Sequence, residues 1–223
     1  MLNQESETKK KYDNYYKKKR IFPKIRNQLI QFIKTDNIGE YSISIPEDAK
    51  TITTIIKTII KNTDLSKKNN ITITDGTSGI GGNVISFCKN FSFVNAIEID
   101  NNRFDFLKNN VNLYNHENIQ FINGDFVDHI HDLIQDIIFI DPPWGGKDYK
   151  YKTNIRLKLG DLELNTICNK CLEGNNCKIF VMKLPINYDI EYLKNKIKYN
   201  KKFFKIRNKI LLVCAWTENI ITI

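Results

Sequence analysis

The chain has 223 residues and a formal net charge of +9; 41% of its residues are hydrophobic and 26% are charged, an ordinary balance for a soluble globular protein. No run approaches the ~18 consecutive apolar residues of a membrane helix, and the amino terminus lacks the apolar core of a secretory signal. We therefore expect no membrane association, and either one large domain or a domain with an extension.

The amino-terminal part is predicted to be mainly helical. Residues 1 to about 20 form a polar arm, helical or partly disordered, which Ile21-Phe22-Pro23 ends. A loosely helical apolar face follows up to Ile33, and residues 39–44 have turn and strand character. Pro46 then opens a helix, whose apolar stripe consists of Ile52, Ile55, Ile56, Ile59 and Ile60.

From residue 71 onward the pattern alternates between strand and helix. The predicted strands are 71–74, 93–99, 119–122, 137–140 and 178–184, and the predicted helices are 81–89, 101–114, 126–134, 162–172 and 189–197. Residues 203–206 and 210–216 form a closing hairpin. This order predicts an α/β fold with a doubly wound, Rossmann-like sheet, mostly parallel with an antiparallel hairpin at its carboxyl terminus, behind a small helical extension. We place the boundary between residues 1–62 and 63–223.

Basic residues are concentrated in residues 9–34, where Asp13 is the lone acid, and in residues 194–209, which contain no acid. Tyrosine and phenylalanine are interleaved with them. Such clusters suit a nucleic acid or polyphosphate partner. A solvated lysine-rich surface, in an organism that uses many Lys, Asn and Ile residues, accounts for the charge equally well.

The five cysteines have no disulfide-dense spacing, so we predict free thiols in a reducing compartment. Cys168, Cys171 and Cys177 have the spacing of half a zinc site, but no second Cys/His pair follows at a partnering distance. We expect no metal.

Three consecutive strands end in acids, and the first also ends in glycines. The first strand leads into Asp75-Gly76-Thr77-Ser78-Gly79, followed by Gly81-Gly82-Asn83, where backbone amides can approach a ligand closely. The spacing is not that of a nicotinamide dinucleotide site. At the second strand end Asp100, with Glu98 as second choice, can accept both hydroxyls of a ribose. At the third, Asp125 can accept from an adenine amine and Phe126 can pack on the ring.

Each acid alone is more often a turn or helix-capping residue. Together they predict an adenosine site.

The fourth strand is followed by Asp141-Pro142-Pro143-Trp144-Gly145-Gly146. The prolines force the chain out of the sheet in an extended turn. A planar base could stack on Trp144 while its exocyclic amine faces Asp141 and the Pro142 carbonyl. The simpler interpretation is a proline turn with a capping Asp and a tryptophan packed for bulk.

These residues resemble the S-adenosyl-L-methionine-dependent methyltransferases, and Asp-Pro-Pro-aromatic is typical of those that methylate base amines. The chain most resembles the trimethylguanosine synthase family of RNA cap guanine-N2 methyltransferases. The matching motifs are Arg20-Ile21-Phe22, Gly81-Gly82-Asn83, Ile99-Asp100, Gly124-Asp125-Phe126, Pro142 to Gly146 with Asp148-Tyr149, Leu184 to Ile190 and Asn208-Lys209.

The resemblance implies a set of site residues. Asp141, Pro142 and Trp144 are expected to act in catalysis. Expected to bind S-adenosyl-L-methionine are Phe22, Asp75, Gly76, Thr77, Gly79, Asn83, Asp100, Asp125, Phe126 and Asp141. Expected to bind the substrate are Trp144, Lys11, Arg20, Lys183 and Asn187, with residues 1–62 contributing to both sites.

Three positions depart from the family. Serine usually stands at Asp141, and an Asp-x-Phe-Cys-Gly loop where this chain has residues 75–79. An arginine thought to hold cap phosphates is replaced by Ile186, so Lys183 or the lysines near residue 200 would have to supply that charge.

The implied function is methylation of the exocyclic N2 amine of a 7-methylguanosine RNA cap by a monomeric enzyme in the cytoplasm or nucleus. The heavy use of Asn, Ile and Lys suggests a protist or a virus-infected cell as its source. The alternative enzyme is a methyltransferase for internal guanine or adenine amines in ribosomal RNA or DNA, which Asp141 favours. Two further alternatives are a catalytically silent RNA-binding fold, which predicts a ruined glycine loop, and a nicotinamide dehydrogenase, which leaves Pro-Pro-Trp without a purpose.

Overall fold

The computed structural model describes residues 2–217, with side chains from residue 12 onward. Its helices are α1 Leu2–Ile21, α2 Asn37–Ser42, α3 Pro46–Lys61, α4 Gly82–Cys88, α5 Asn101–Asn112, α6 Phe126–His129, α7 Leu164–Glu173 and α8 Ile190–Lys196. Short 3-10 helices are Asn27–Phe32, Asp64–Lys67 and Lys147–Tyr151. Within this part of the chain, no helix is long and apolar enough to cross a bilayer.

The strands form one large sheet and a small hairpin. They are β1 Thr72–Asp75, β2 Phe93–Glu98, β3 Ile119–Asn123, β4 Ile137–Ile140, β5 Lys158–Leu159, β6 Leu162–Glu163, β7 Ile179–Pro185, β8 Asn200–Ile206 and β9 Ile210–Trp216. The seven-stranded sheet has the order β3-β2-β1-β4-β7-β9-β8, and β5 pairs with β6. Strands β1, β2, β3, β4 and β7 all run parallel to one another, whereas β9 is antiparallel to both β7 and β8.

The sheet order confirms the predicted doubly wound fold with a closing antiparallel hairpin. The chain builds outward from β1 through β2 to β3 and then returns to add β4 on the other side of β1. Such a reversal leaves a crevice at the carboxyl ends of the two central strands, where α/β proteins bind their ligands. Asp75 ends β1 and Asp141 follows β4, so both lie at this crevice.

Helix α3 joins the amino-terminal extension to the core of the sheet. Ile52 and Ile56 are fully buried, as the isoleucine stripe predicts, and belong to the same apolar cluster as Ile73 of β1 and Phe139 of β4. Phe22 is also in this cluster, 2% exposed. The extension therefore shares one core with the sheet.

The structure differs from the sequence prediction at several local points. Residues 39–44 were expected in a turn and strand, but the chain forms α2, because the Asp36 side chain accepts the Gly39 amide at 2.8 Å and caps a helix there. The apolar face between Phe22 and Ile33 forms only a short 3-10 helix, and α6 ends at His129 rather than near residue 134.

Ile56→Ala tests whether the extension is part of the core. We expect the free energy of unfolding, measured in urea, to fall by about 2–5 kcal/mol, because a fully buried isoleucine leaves a cavity. The transition should remain single. Thr54→Ala, on the exposed face of the same helix, should change it by no more than about 0.5 kcal/mol. Two separate transitions, or equal effects of the two variants, would contradict a shared core.

Candidate active site at the carboxyl ends of the parallel strands

The glycine loop, residues 76–81 between β1 and α4, is held tightly to the sheet. The Gly76 amide donates to the Phe139 carbonyl at 2.9 Å. A Cβ on Gly76 would lie 2.6 Å from the Phe126 ring, so only glycine fits there. Phe126 itself is 2% exposed. It lies beneath the loop as a support, whereas the sequence predicted a ring packed on adenine.

Gly79 is the open position of the loop. Its φ is +55°, and a Cβ there would meet nothing within 4 Å, so a ligand can approach its backbone. The Gly79 amide donates to Glu98 Oε2 at 2.8 Å, and Glu98 Oε1 accepts the Asp100 amide at 3.0 Å. The buried Glu98 side chain thus holds the glycine loop in place through hydrogen bonds. Asp100, with 37% of its side chain exposed, is the better placed of the two acids to meet a ribose.

Both remaining strand-end acids also cap helices. Asp100 Oδ1 accepts the Arg103 amide at 2.9 Å and begins α5, and Asp125 Oδ1 accepts the Val127 amide at 3.0 Å and begins α6. Capping uses one oxygen of each carboxylate. Arg103 Nη2 lies 3.2 Å from the other oxygen of Asp100, and this contact would have to be shared with a ribose.

Ile99 is a residue that the sequence prediction missed. It follows β2 between Glu98 and Asp100 and is 63% exposed, although its neighbours in the strand are buried. An apolar side chain left open at a ligand-binding strand end offers a surface to a flat ring. The signal in the sequence is an isoleucine between two acids, and it is weak because strand ends often carry an apolar residue.

Asp75 is buried, with 1% of its surface exposed. Its Oδ1 accepts the Thr77 amide at 3.1 Å, whereas Oδ2 has no hydrogen-bond partner. Burial raises the pKa of this carboxyl to about 8; the Thr77 amide opposes the rise, and the charges of Asp141 and Glu98 add to it. An orphaned buried oxygen of this kind is a receptor for a cationic donor.

The Pro-Pro-Trp turn is tied to the glycine loop. The Asp141 amide donates to Thr77 Oγ1 at 2.6 Å, and Asp141 Oδ2 accepts from the Lys183 ammonium at 2.5 Å. Trp144 is partly buried and packs edge-on against Tyr149 with ring centroids 5.1 Å apart. Its Nε1 has no hydrogen-bond partner. Pro142 is buried.

The other predicted site residues lie in varied surroundings. Lys183 is 4% exposed, and Asn187 donates to the Tyr149 and Lys152 carbonyls at 2.8 and 2.6 Å, so it fixes the loop beside Trp144. Asn83 is buried with an unpartnered Oδ1, and Arg20 is exposed at the end of α1. The side chain of Lys11 lies outside the described residues.

The five cysteines are buried free thiols. Over residues 2–217, no group of three or more His, Cys, Asp or Glu side chains is arranged to hold a metal ion.

Comparisons with known proteins agree with this arrangement. The sequence model of the family described as RNA cap guanine-N2 methyltransferase matches residues 70–221. The chain is 36% identical over 216 residues to an uncharacterized protein of Acanthamoeba polyphaga mimivirus, covering 88% of this chain and 84% of the relative. It is 38% identical over 88 residues to the trimethylguanosine synthase of Schizosaccharomyces pombe, covering 36% of each.

Solved methyltransferases share the fold. The human methyltransferase 10 domain containing protein superposes with a TM-score of 0.54 at 15% identity, covering 76% of this chain and 81% of that one. Precorrin-6y C5,15-methyltransferase from Geobacter metallireducens superposes with a TM-score of 0.57 at 14% identity, covering 83% and 94%. The fold is therefore that of a Rossmann-like methyltransferase, and, since the family model matches most of its length, the chain belongs to the RNA cap guanine-N2 methyltransferase family.

Proposed function

We propose that this protein transfers a methyl group from S-adenosyl-L-methionine to the exocyclic N2 amine of a 7-methylguanosine RNA cap. The observation that carries the proposal is that Asp141 and Trp144 stand beside the adenosine-type site, joined to it through Thr77. An acceptor for an amine and a ring for a base are thus placed next to the glycine loop.

The residues present fit the cofactor. The unpartnered Oδ2 of Asp75 would accept from the ammonium group at the amino-acid end, and the open backbone at Gly79 gives the ligand room. Asp100 would accept the ribose hydroxyls. Asp125 and the exposed Ile99 would meet the adenine, one by hydrogen bonding and the other by packing.

When bound, S-adenosyl-L-methionine would supply an electrophilic methyl group on a cationic sulfur; its transfer would make a C–N bond from the N2 lone pair, leave the C–S electron pair on sulfur and release one N2 proton to solvent. Asp141 and the Pro142 carbonyl would accept hydrogen bonds from the amine and so orient its lone pair. Positioning of this kind lowers barriers by roughly 7–11 kcal/mol in favourable cases. The same acceptors stabilise the positive charge that develops on nitrogen.

Trp144 would hold the base. A 7-methylguanine ring is cationic, so its stacking on an indole gains a cation–π attraction of roughly 0.5–2 kcal/mol. Tyr149 supports the indole from the side, and Asn187 holds the Tyr149 loop in place. This arrangement favours a methylated over an unmethylated cap.

The basic extension would meet the phosphates. An open surface groove on α1 is lined by aromatic and basic side chains, among them Tyr16, Lys19 and Arg20, with Asp13 as an acidic neighbour. Residues 1–62 would then assist the catalytic residues 63–223, with the enzyme acting as a monomer. Binding of RNA longer than the cap should weaken with salt, because phosphate contacts release counterions.

A second candidate is methylation of an internal guanine or adenine amine in ribosomal RNA or DNA. The observation that favours it is the carboxylate of Asp141, because a carboxylate accepts from either amine and does not by itself select a cap.

The deciding experiment offers labelled S-adenosylmethionine with a 7-methylguanosine-capped dinucleotide and with its unmethylated counterpart. We expect methylation of the first alone, with the added mass on the guanine amine, because a cationic ring is what Trp144 binds best. Methylation of neither, with cofactor binding intact, would move the proposal to an internal base.

Trp144→Ala should lower kcat/KM on the capped dinucleotide about 10- to 100-fold, because stacking and cation–π attraction are both lost. Trp144→Phe should retain part of the activity. Ile134→Ala removes another large exposed apolar side chain, which precedes β4 at the opposite end of the sheet, and should have no effect. Unchanged steady-state kinetics in Trp144→Ala would remove the base-stacking role.

The raised pKa of Asp75 predicts that the stability of the unliganded protein depends on pH. Its folded pKa of about 8 exceeds the ordinary value of 3.8, so the folded state keeps a proton that the unfolded state has already released between those pH values. The free energy of unfolding should therefore fall with rising pH in this window, by up to about 1.4 kcal/mol per unit. Asp75→Asn should flatten that slope in urea titrations from pH 5 to 8, whereas the exposed Asp128→Asn should not. Parallel slopes in the wild type and Asp75→Asn would contradict this.

A further inference from the structure

Lys183 is a buried lysine in the middle of an apolar strand. β7 is buried along its whole length, and only 6% of the Lys183 side chain is exposed. An ammonium group is expensive to remove from water unless it is paired. Its partner is Asp141, whose side chain is 14% exposed. A lysine in this position is a poor ligand for a phosphate in solvent.

The sheet register places this pair. Phe139 of β4 stands opposite Val181 of β7. Because side chains alternate between the faces of a strand, the residues two steps further on, Asp141 and Lys183, lie level and on the same face. Asp141 is the first residue after β4, so the pairing of β4 with β7 brings its side chain level with Lys183.

The same ammonium also reaches the tryptophan. Lys183 Nζ lies 5.3 Å from the centroid of the Trp144 ring, within the range of a cation–π contact. One buried cation thus touches both groups that the proposed reaction requires. The Asp141 backbone is held from the other side by Thr77.

The ion pair with Lys183 gives the two carboxylate oxygens of Asp141 different partners. Oδ2 of Asp141 is engaged by Lys183. The Trp144 side chain also acts on this carboxyl, counteracting the rise in its pKa. In the proposed complex, Oδ1 would accept from the base amine. A protonated carboxyl could not be relied on to accept there, because it would present a donor.

The charged groups around Asp141 oppose one another. Lys183 faces it from β7, and Asp75 faces it from β1, with Glu98 of β2 acting on Asp75 in turn. Burial raises the pKa of Asp141, and the Lys183 ammonium counteracts this. Without Lys183, burial would still oppose the ionised form, and the Trp144 side chain alone would counteract it.

We propose that Lys183 is a positioning residue, which holds the Asp141 carboxylate as an oriented acceptor beneath Trp144, and that it does not bind the cap phosphates. This inference rests on the proposed function for its substrate, a base amine, but the ion pair itself can be tested without any substrate.

The substrate-free test is a double-mutant cycle of Lys183→Met and Asp141→Asn, read by thermal unfolding at pH 7. Lys183→Met should lower Tm by about 10 °C, because the buried carboxyl of Asp141 loses its paired cation and must either stay ionised without it or take up a proton. Adding Asp141→Asn to it should recover most of that loss. Lys170→Met, an exposed lysine on α7, should leave Tm unchanged. Additive effects of the two substitutions in the cycle would overturn the pairing.

The kinetic test follows methyl transfer to the capped dinucleotide from pH 6 to 10. Lys183→Met should lower kcat at least 10-fold at pH 7 and regain activity at higher pH, where Asp141 ionises again, with KM little changed. Lys183→Arg should keep more activity than Lys183→Met. In the Asp141→Asn background, Lys183→Met should not shift the pH dependence of kcat. This control shows whether the shift in the single variant comes from ionisation of Asp141 or of Asp75.

The outcomes separate the two proposals. A KM effect in Lys183→Met that disappears when the triphosphate bridge is removed from the substrate would restore Lys183 as a phosphate ligand and overturn this inference. A wild-type enzyme that methylates no capped dinucleotide would instead refute the proposed function, and the thermal cycle would still decide whether Lys183 positions Asp141.

Discussion

The link between the first and fourth strands organises the site. Between β1 and β4, where the strand order reverses, the Gly76 amide donates to the Phe139 carbonyl and the Asp141 amide donates to Thr77 Oγ1. These two hydrogen bonds join the glycine loop to the Pro-Pro-Trp turn. The prolines leave few backbone donors in that turn, so the Asp141 amide is one of the few means of fixing it. In the proposed enzyme, these bonds would hold the cofactor site and the base site at a constant separation.

The extension packs against one side of this crevice. A Cβ on Gly82 would clash with the Ser44 carbonyl at 2.7 Å, and one on Gly39 would clash with Ile80, so the extension packs directly on the glycine loop and on α4. Arg103 lies among three acids, 3.7 Å from Asp36, 3.5 Å from Glu98 and 3.2 Å from Asp100. It therefore connects α2 to the acids at the end of β2. For the proposed enzyme, these contacts give the extension a role in shaping the cofactor site as well as in meeting RNA.

The sequence predicts the sheet well because buried parallel strands are short apolar runs separated by glycines and acids. It also predicts which strand ends carry acids. It does not predict α2, which one Asp36 hydrogen bond decides against a weak alternation of isoleucines. It does not show that Phe126 and Lys183 are buried, because the depth of an aromatic ring beside a glycine, or of a lysine in a strand, is set only when the strands are in register. The ligand contacts predicted for both residues stay predictions. Those facts depend on long-range contacts, whereas periodicity reports only local ones.

The surface and the interior of the molecule carry different kinds of charged groups. The surface is basic, with a net charge of +9 overall, while the crevice gathers the buried acids Asp75, Glu98 and Asp141 against the buried ammonium of Lys183. The proposed reaction needs both signs: RNA is a polyanion, whereas the cofactor and a 7-methylguanine ring are cations. Surface charge acts over roughly a Debye length and attracts the phosphates. Buried charge acts more strongly at short range because it is poorly screened. Under the proposed function, a single lysine placed among the acids then balances Asp141, and Asp75, Asp100 and Asp125 would remain to meet the cofactor.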